Sequence, residues 1–177
     1  MRINEIFYSL QGEGFWTGTP AVFVRFSGCN LKCSFCDTEH FGYRDMSVEQ
    51  IVEEVSKFPA KRVILTGGEP LLQVNERLLK LLKSNGIVVH VETNGTIAVS
   101  DTMRNLIDWI TVSPKSEYIQ IADFDELKVV YQGQNLKCWD SYLIGNLCSR
   151  CYLQPCDYGD AAKNLISIAR TVEFIKS

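Results

Sequence analysis

The sequence has no apolar run long enough to cross a membrane, because a spanning helix needs about 20 such residues. Its first residues, MRINEIFYSLQGEG, are polar and acidic where a signal peptide would need an apolar segment. Basic residues are not in excess, since 18 Lys and Arg stand against 21 Asp and Glu, a net charge of −3. These absences predict a cytoplasmic protein with no general attraction to membranes or to nucleic acid.

Long linkers, internal repeats and low-complexity segments are also missing from the 177 residues. This length, with 46% hydrophobic residues, is ordinary for a domain that buries a core without disulfides. We therefore expect a single domain over residues 1–177. Histidine is scarce, and we expect His40 and His90 to be packing or surface residues rather than metal ligands.

Segments of strand length alternate with segments of helical periodicity along the chain. A capping box of Ser47 and Gln50, for example, precedes apolar residues at helical spacing. Strands are expected at 21–27, 63–65, 87–91, 109–112, 126–131 and 152–154, and helices from 47 and at 75–84, 101–108 and 160–176. The alternation predicts right-handed βαβ units and a parallel sheet. Because a full eightfold barrel takes about 250 residues, we expect an α/β fold with a partial, incomplete TIM-like barrel of parallel strands.

Unusual residues follow several of these strands. They are the first three cysteines, TGGEP at 66–70, ETNG at 92–95 and SPK at 113–115. The carboxyl ends of parallel strands share one rim, and ligands bind there in such folds. The sequence therefore predicts a functional site on that rim.

Seven cysteines, an odd number, favour metal ligands or catalytic groups over disulfides in a reducing compartment. Cys29, Cys33 and Cys36 have the spacing C-x3-C-x2-C, so three thiolates within eight residues can converge on one metal centre. Structural zinc usually takes four protein ligands, whereas three suit a 4Fe–4S cluster with one iron left open. The spacing leaves two alternatives, a zinc site that borrows a fourth cysteine and three unrelated buried thiols.

The cysteine spacing, with the aromatic Phe35 before the last cysteine, resembles the motif of the radical S-adenosylmethionine (SAM) superfamily. GGEP at 67–70 is similar to the second motif of that superfamily. The resemblance implies a radical SAM core in which SAM binds the open iron and is cleaved to a 5′-deoxyadenosyl radical. The protein then positions the cofactors and excludes side reactions.

The chain resembles one family of that superfamily in particular, the 7-carboxy-7-deazaguanine synthases. The match lies in FYSLQGEG at 7–14, Arg25, CDT at 36–38, SPK at 113–115 and YLQP at 152–155, and it covers most of residues 3 to 175. It implies a carbon–nitrogen lyase that converts 6-carboxy-5,6,7,8-tetrahydropterin to 7-carboxy-7-deazaguanine with loss of ammonia. The product leads to queuosine, a tRNA modification, and to related deazapurines. The resemblance also implies Mg²⁺, an electron donor such as flavodoxin, and a homodimer.

The resemblance assigns roles to individual residues and names no catalytic residue beyond the cofactor ligands. The cluster ligands would be Cys29, Cys33 and Cys36. SAM would be bound by Phe35, Cys36, Asp37, Gly68, Ser113, Pro114, Lys115 and Gln154. Substrate would be bound by Leu10, Gln11, Gly12, Arg25 and Thr66. Mg²⁺ would be bound by Thr38.

Each of these assignments has an ordinary structural alternative. Arg25 lies inside an apolar strand, where a charge needs a partner. Its guanidinium could bind the pterin carboxylate in a bidentate manner or form an internal ion pair. LQG, GGEP and SPK also occur as simple turns, Thr38 as a capping residue and Glu92 as a strand cap.

Two other functions stay open at this point. A radical SAM activase would abstract hydrogen from a partner protein, and a non-catalytic metal-binding module would hold zinc and leave SAM intact. The remaining cysteines could form a second metal site, although we expect ordinary thiols; they are Cys138, Cys148, Cys151 and Cys156. Members of the resembled family usually continue past the last predicted helix, so a C-terminal extension is expected to be missing here.

Overall fold

The structure is a computed structural model that describes residues 1–36, 42–139, 142 and 150–176. The described strands are β1 (Arg2–Leu10), β2 (Pro20–Phe26), β3 (Arg44–Asp45), β4 (Arg62–Gly67), β5 (Val88–Thr93), β6 (Trp109–Val112), β7 (Glu126–Tyr131) and β8 (Cys151–Pro155). The described α-helices are α1 (Val48–Ser56), α2 (Glu76–Ser84), α3 (Asp101–Arg104) and α4 (Ala161–Lys176). None of the helices in these ranges is long and apolar enough to cross a membrane.

All these strands belong to one sheet with the order β3-β1-β2-β4-β5-β6-β7-β8. β2 and β4 to β8 run parallel to one another, whereas β1 pairs antiparallel with both β2 and β3. Within the described ranges β3 and β8 remain the two edges, so the sheet does not close. This architecture confirms the predicted α/β fold with a partial barrel.

The two faces of the sheet differ sharply in polarity because successive side chains of a strand point to opposite faces. One face is apolar and packs against α1 and α2 in the main core; its residues include Val24, Leu65, Val91, Ile110 and Leu127. The other face carries Arg25, Thr66, Glu92 and Lys128, and they line a cavity. A complete TIM barrel fills its interior with branched apolar side chains, whereas this open barrel has a polar interior.

Helices α1 and α2 begin where the sequence predicts. The Ser47 hydroxyl accepts a hydrogen bond from the Gln50 amide at 3.2 Å, and the Gln50 side chain accepts one from the Ser47 amide at 2.8 Å. The Asn75 side chain caps α2 by accepting from the Leu78 amide at 3.1 Å. Both helices bury their apolar stripe against the sheet, which fixes the sheet's other face toward the cavity.

Helix α4 covers the predicted segment but packs on its small polar face. Ser167 and Thr171 are 7% and 2% exposed, so they form the buried side of the helix. The predicted apolar side stays in solvent, with exposures of 69%, 47%, 44% and 65% for Leu165, Ile168, Val172 and Ile175. The helix therefore presents an apolar stripe that the described chain does not cover.

Candidate active site

A cavity of about 270 Å³ opens at the carboxyl rim of the parallel strands. The predicted site residues that line it are Arg25, Cys29, Cys33, Phe35, Cys36, Thr66, Gly68, Ser113, Lys115 and Gln154. Leu10, Gln11, Gly12 and Pro114 do not line it, and Asp37, Thr38 and His40 lie outside the described residues. One cavity thus brings together most of the residues that the sequence singles out.

The cysteine loop leaves the end of β2 and places the Cys33 thiol near the Lys115 ammonium. The Cys29 sulfur accepts a hydrogen bond from the Leu31 amide at 3.4 Å, and the Asn94 side-chain amide lies 4.0 Å from the same sulfur. Burial raises the pKa of the Cys33 thiol, the Lys115 ammonium lowers it, and the charges of Cys36 and Cys29 raise it further. The three thiols are therefore close enough to interact electrostatically.

The three loop thiols do not form a ready-made site for a single metal ion. In the described ranges no group of three or more His, Cys, Asp or Glu side chains is arranged to hold a single metal ion. Cys138, Cys151 and Cys156 belong to no such group either, and Cys148 lies outside the described residues.

The GGEP motif packs directly against the start of the cysteine loop. The Gly68 amide donates to the Phe26 carbonyl and the Glu69 amide donates to the Gly28 carbonyl, both at 2.9 Å. A Cβ atom at Gly68 would lie 2.0 Å from the Gly28 carbonyl oxygen, closer than any side chain allows. Glycine is required there because the two backbones are in contact.

Glu69 of the same motif is fully buried, and its carboxylate joins the GGEP loop to the end of β5. Its carboxylate accepts hydrogen bonds from the Leu71 amide at 3.0 Å, the Thr93 hydroxyl at 2.8 Å and the Asn94 amide at 2.8 Å. Burial raises the pKa of Glu69, and these hydrogen bonds partly oppose the rise. Asn94 in turn approaches the Cys29 sulfur, so Glu69 links the GGEP loop to the thiols through β5.

Arg25 forms an ion pair and also lines the cavity. Its Nε donates to the Glu5 carboxylate at 2.7 Å, and its side chain is 27% exposed. Glu5, at 49%, is more exposed than Arg25 and does not line the cavity. The ion pair anticipated as an alternative is therefore present, and it leaves Arg25 at the cavity wall.

Glu92, on β5, bridges polar side chains of the cavity wall. Its carboxylate accepts from the Gln11 side-chain amide at 2.7 Å and from the Thr66 hydroxyl at 3.3 Å. Gln11 thus contacts the site through Glu92 without lining the cavity. The sequence predicted a strand cap as the ordinary role of Glu92, whereas the structure places its carboxylate between Gln11 and Thr66 in the cavity wall.

Two further charged residues of β7 were not predicted. Lys128 is 6% exposed, lines the cavity and donates to the Glu13 carboxylate at 2.6 Å. Glu126 lies two positions before Lys128 on the same face of β7. Its carboxylate accepts a hydrogen bond from the Phe15 amide at 3.0 Å. The sequence signal that could have found them is the alternation of charged and apolar residues in ELKVVY. Successive side chains of a strand point to opposite faces, so Glu126 and Lys128 share one face.

The SPK segment borders the cavity near the cysteine loop. The Lys115 ammonium donates to the Ser113 hydroxyl at 2.7 Å and lies 5.8 Å from the centre of the Phe35 ring. A cation over an aromatic face within about 6 Å is attracted to it. Gln154, at the end of β8, borders the same cavity.

An aromatic cluster closes the opposite end of the polar interior. The Trp16 ring lies 5.5 Å from the rings of both His90 and Trp109. Burial and the charge of Arg62 lower the pKa of His90 to about 4, so its imidazole is neutral at pH 7. His90 is thus a packing residue of this cluster, and the cavity opens on the strand rim.

The fold and the cavity define a class of protein. Residues 23–119 match the family model described as the Radical SAM superfamily, which is more than half of the chain. The crystal structure of QueE from Escherichia coli superposes with a TM-score of 0.72 at 27% identity, over 97% of this chain and 90% of that one.

Curated relatives narrow the class. The 7-carboxy-7-deazaguanine synthase of Bacteroides thetaiotaomicron is 48% identical over 96% of this chain and 89% of the relative. The enzyme of the same name from Haemophilus influenzae is 41% identical over 93% of this chain and 79% of the relative. The chain therefore belongs to the 7-carboxy-7-deazaguanine synthase family within the radical SAM superfamily. This membership confirms the resemblance seen in the sequence and implies a 4Fe–4S cluster and SAM as cofactors.

Proposed function

We propose that the protein converts 6-carboxy-5,6,7,8-tetrahydropterin to 7-carboxy-7-deazaguanine with loss of ammonia, as a step of queuosine and deazapurine biosynthesis. The observation that carries this proposal is a single cavity lined by two chemically unlike sets of residues. Three thiols and Lys115 form one set, and Arg25, Glu92 and Lys128 form the other. We assign the first set to the cofactors, as the cofactor end, and the second to the charged substrate, as the substrate end, because this family's reaction brings both into one cavity.

At the cofactor end, Cys29, Cys33 and Cys36 would hold the 4Fe–4S cluster. Bound together, the cluster and SAM supply a 5′-deoxyadenosyl radical. The residues proposed to bind SAM are Phe35, Cys36, Asp37, Gly68, Ser113, Pro114, Lys115 and Gln154. Lys115 is suited to the carboxylate of SAM because its ammonium already faces the cavity, and Gly68 allows close approach because it has no side chain.

At the substrate end, Arg25 and Thr66 would contact the pterin directly, while the loop of Leu10, Gln11 and Gly12 would act next to them. A guanidinium matches a carboxylate in shape and charge, which supports Arg25 as the partner of the pterin carboxylate. Thr38 would bind Mg²⁺, which prefers oxygen ligands and takes few of them from the protein.

The setting of the reaction follows from the same family. We propose an electron donor such as flavodoxin, a cytoplasmic location and a single catalytic domain over residues 1–177. The substrate is a small molecule, and neither nucleic acid nor a membrane is proposed as a partner.

The experiment that tests the function is mass spectrometry of the products formed under anaerobic conditions. The reconstituted protein is incubated with SAM, reductant, Mg²⁺ and 6-carboxy-5,6,7,8-tetrahydropterin. We expect 7-carboxy-7-deazaguanine and an equal amount of ammonia. Radical transfer to a partner protein with no turnover of the pterin would instead identify an activase, and intact SAM with bound zinc would identify a metal-binding module.

We also propose that two copies of the chain form a homodimer through the apolar stripe of α4, defined as Leu165, Ile168, Val172 and Ile175. These residues are spaced by three, four and three positions, which is the seam of a helix that packs along another helix. Their exposure supports an interface, because an apolar stripe of this length is costly to leave in water.

The charge substitution Ile168→Glu tests this interface. We expect light scattering coupled to size exclusion to give twice the chain mass for the native protein and one chain mass for the variant. The matched control is Glu173→Lys, an exposed charge reversal on the same helix away from the stripe, which should remain dimeric. A native monomer at all concentrations, or a dimeric Ile168→Glu variant, contradicts the interface.

A further inference from the structure

Lys128 is a charged residue inside the sheet that no family motif accounts for. It lies on β7, is 6% exposed and borders the substrate end of the cavity. Its ammonium donates to the Glu13 carboxylate at 2.6 Å and lies 3.8 Å from the Glu92 carboxylate. Burying a lysine ammonium costs free energy unless the charge is paired. The Glu13 and Glu92 carboxylates supply that pairing for Lys128.

The surroundings hold Lys128 in its protonated form. Burial alone would lower the pKa of Lys128, but the charges of Glu92, Glu13 and Glu126 outweigh this and raise it. Gly14, next to Glu13, lies against the Glu126 carboxylate with a backbone φ of +70°, a conformation that favours glycine. The cavity therefore contains a proton donor and a carboxylate acceptor joined by one hydrogen bond.

The proposed reaction needs both an acid and a base. When the carbon–nitrogen bond breaks, the bonding electrons stay on nitrogen, which must gain a proton to leave as ammonia. The ring must lose one proton from carbon to become the deazapurine. The two transfers balance, and neither one changes an oxidation state.

We propose that Lys128 is a catalytic residue that donates the proton to the departing amine, while Glu13 accepts the ring proton and returns it to Lys128. This inference rests on the proposed function. The Lys128 ammonium and the protonated departing amine are similar in acidity, so the first transfer is nearly balanced in free energy. The hydrogen bond between Lys128 and Glu13 then restores the starting protonation without a solvent molecule.

The variant Lys128→Arg separates a role in proton donation from a role in charge pairing. Arginine keeps the positive charge for Glu13 and Glu92 but does not give up a proton in proteins. Because acid catalysis contributes about 10²–10⁴-fold, we expect ammonia and deazapurine release to fall at least about 100-fold. Iron content and substrate-dependent cleavage of SAM should stay within about twofold. Lys80→Arg, in an exposed pair with Glu76 on α2, is the matched control and should behave as native.

Native ammonia release by Lys128→Arg would show that Lys128 supplies only a charge and would overturn the inference. Loss of the cluster or of SAM cleavage in that variant would show that Lys128 has a structural role, and this result would also overturn the inference. If Lys128→Arg does not fold, the double variant Lys128→Met with Glu13→Gln removes both charges and should show the same selective loss. A native protein that does not release ammonia from the pterin refutes the proposed function, whereas normal native turnover with an unaffected variant refutes only this inference.

Discussion

Replacing Cys33→Ala should yield a folded protein that neither assembles the 4Fe–4S cluster nor cleaves SAM. Two thiolates remain in the loop, and a cubane that normally has three protein ligands would lose one of them. The loop itself lies outside the hydrophobic core, so the change should leave the fold intact. Iron and sulfide analysis, visible absorption and 5′-deoxyadenosine formation after anaerobic reconstitution measure the result.

The control for this variant is Cys138→Ala, which removes a thiol that does not border the cavity. It should retain the brown cluster and the native rate of SAM cleavage. Cleavage of SAM by Cys33→Ala at the original rate would show that the assignment of this ligand is wrong. A native preparation that contains zinc and no iron would remove the basis of the whole site.

Arg25→Ala should lower kcat/KM for the pterin by about 100-fold while it spares the cluster. Hydrogen bonds to charged groups contribute about 1.5–3 kcal/mol, and each 1.4 kcal/mol corresponds to about a factor of ten. Steady-state kinetics with 6-carboxy-5,6,7,8-tetrahydropterin, together with iron analysis of the same sample, measure the effect.

The ion pair with Glu5 supplies the control for Arg25. Glu5→Gln removes the partner that lies outside the cavity and leaves the guanidinium in place, so kcat/KM should change by less than about threefold. Loss of the cluster in Arg25→Ala would mean that the residue is structural. An equal loss of turnover in both variants would assign the effect to the ion pair rather than to contact with the substrate.

Local sequence patterns predicted the strands that lie in the middle of the sheet. β6 and β7 have the predicted bounds, since short apolar runs between polar segments suffice to define a buried parallel strand. β1 was missed because Asn4 and Glu5 interrupt its alternation, and a strand that pairs near the edge of a sheet tolerates such residues.

The polar interior was harder to predict than the rim. Lys128 and Glu126 occupy strand positions that alternate with apolar residues, but the sequence does not show which face of a strand meets solvent and which encloses a cavity. Only the strand order brings Glu13, which lies 115 positions away along the chain, to Lys128. Glu69 was predicted only as part of GGEP, because its burial depends on loops that come from three separate strands.

The contact between Gly68 and Gly28 limits how this family can diverge. With one backbone resting on the other, an insertion in either loop would push the second loop out of place. Changes in length must then arise in pairs or fall elsewhere, for instance beyond β7 or before α4. Homologues should accordingly keep the GGEP turn in contact with the start of the cysteine loop, even where helix α1 between them grows or shrinks.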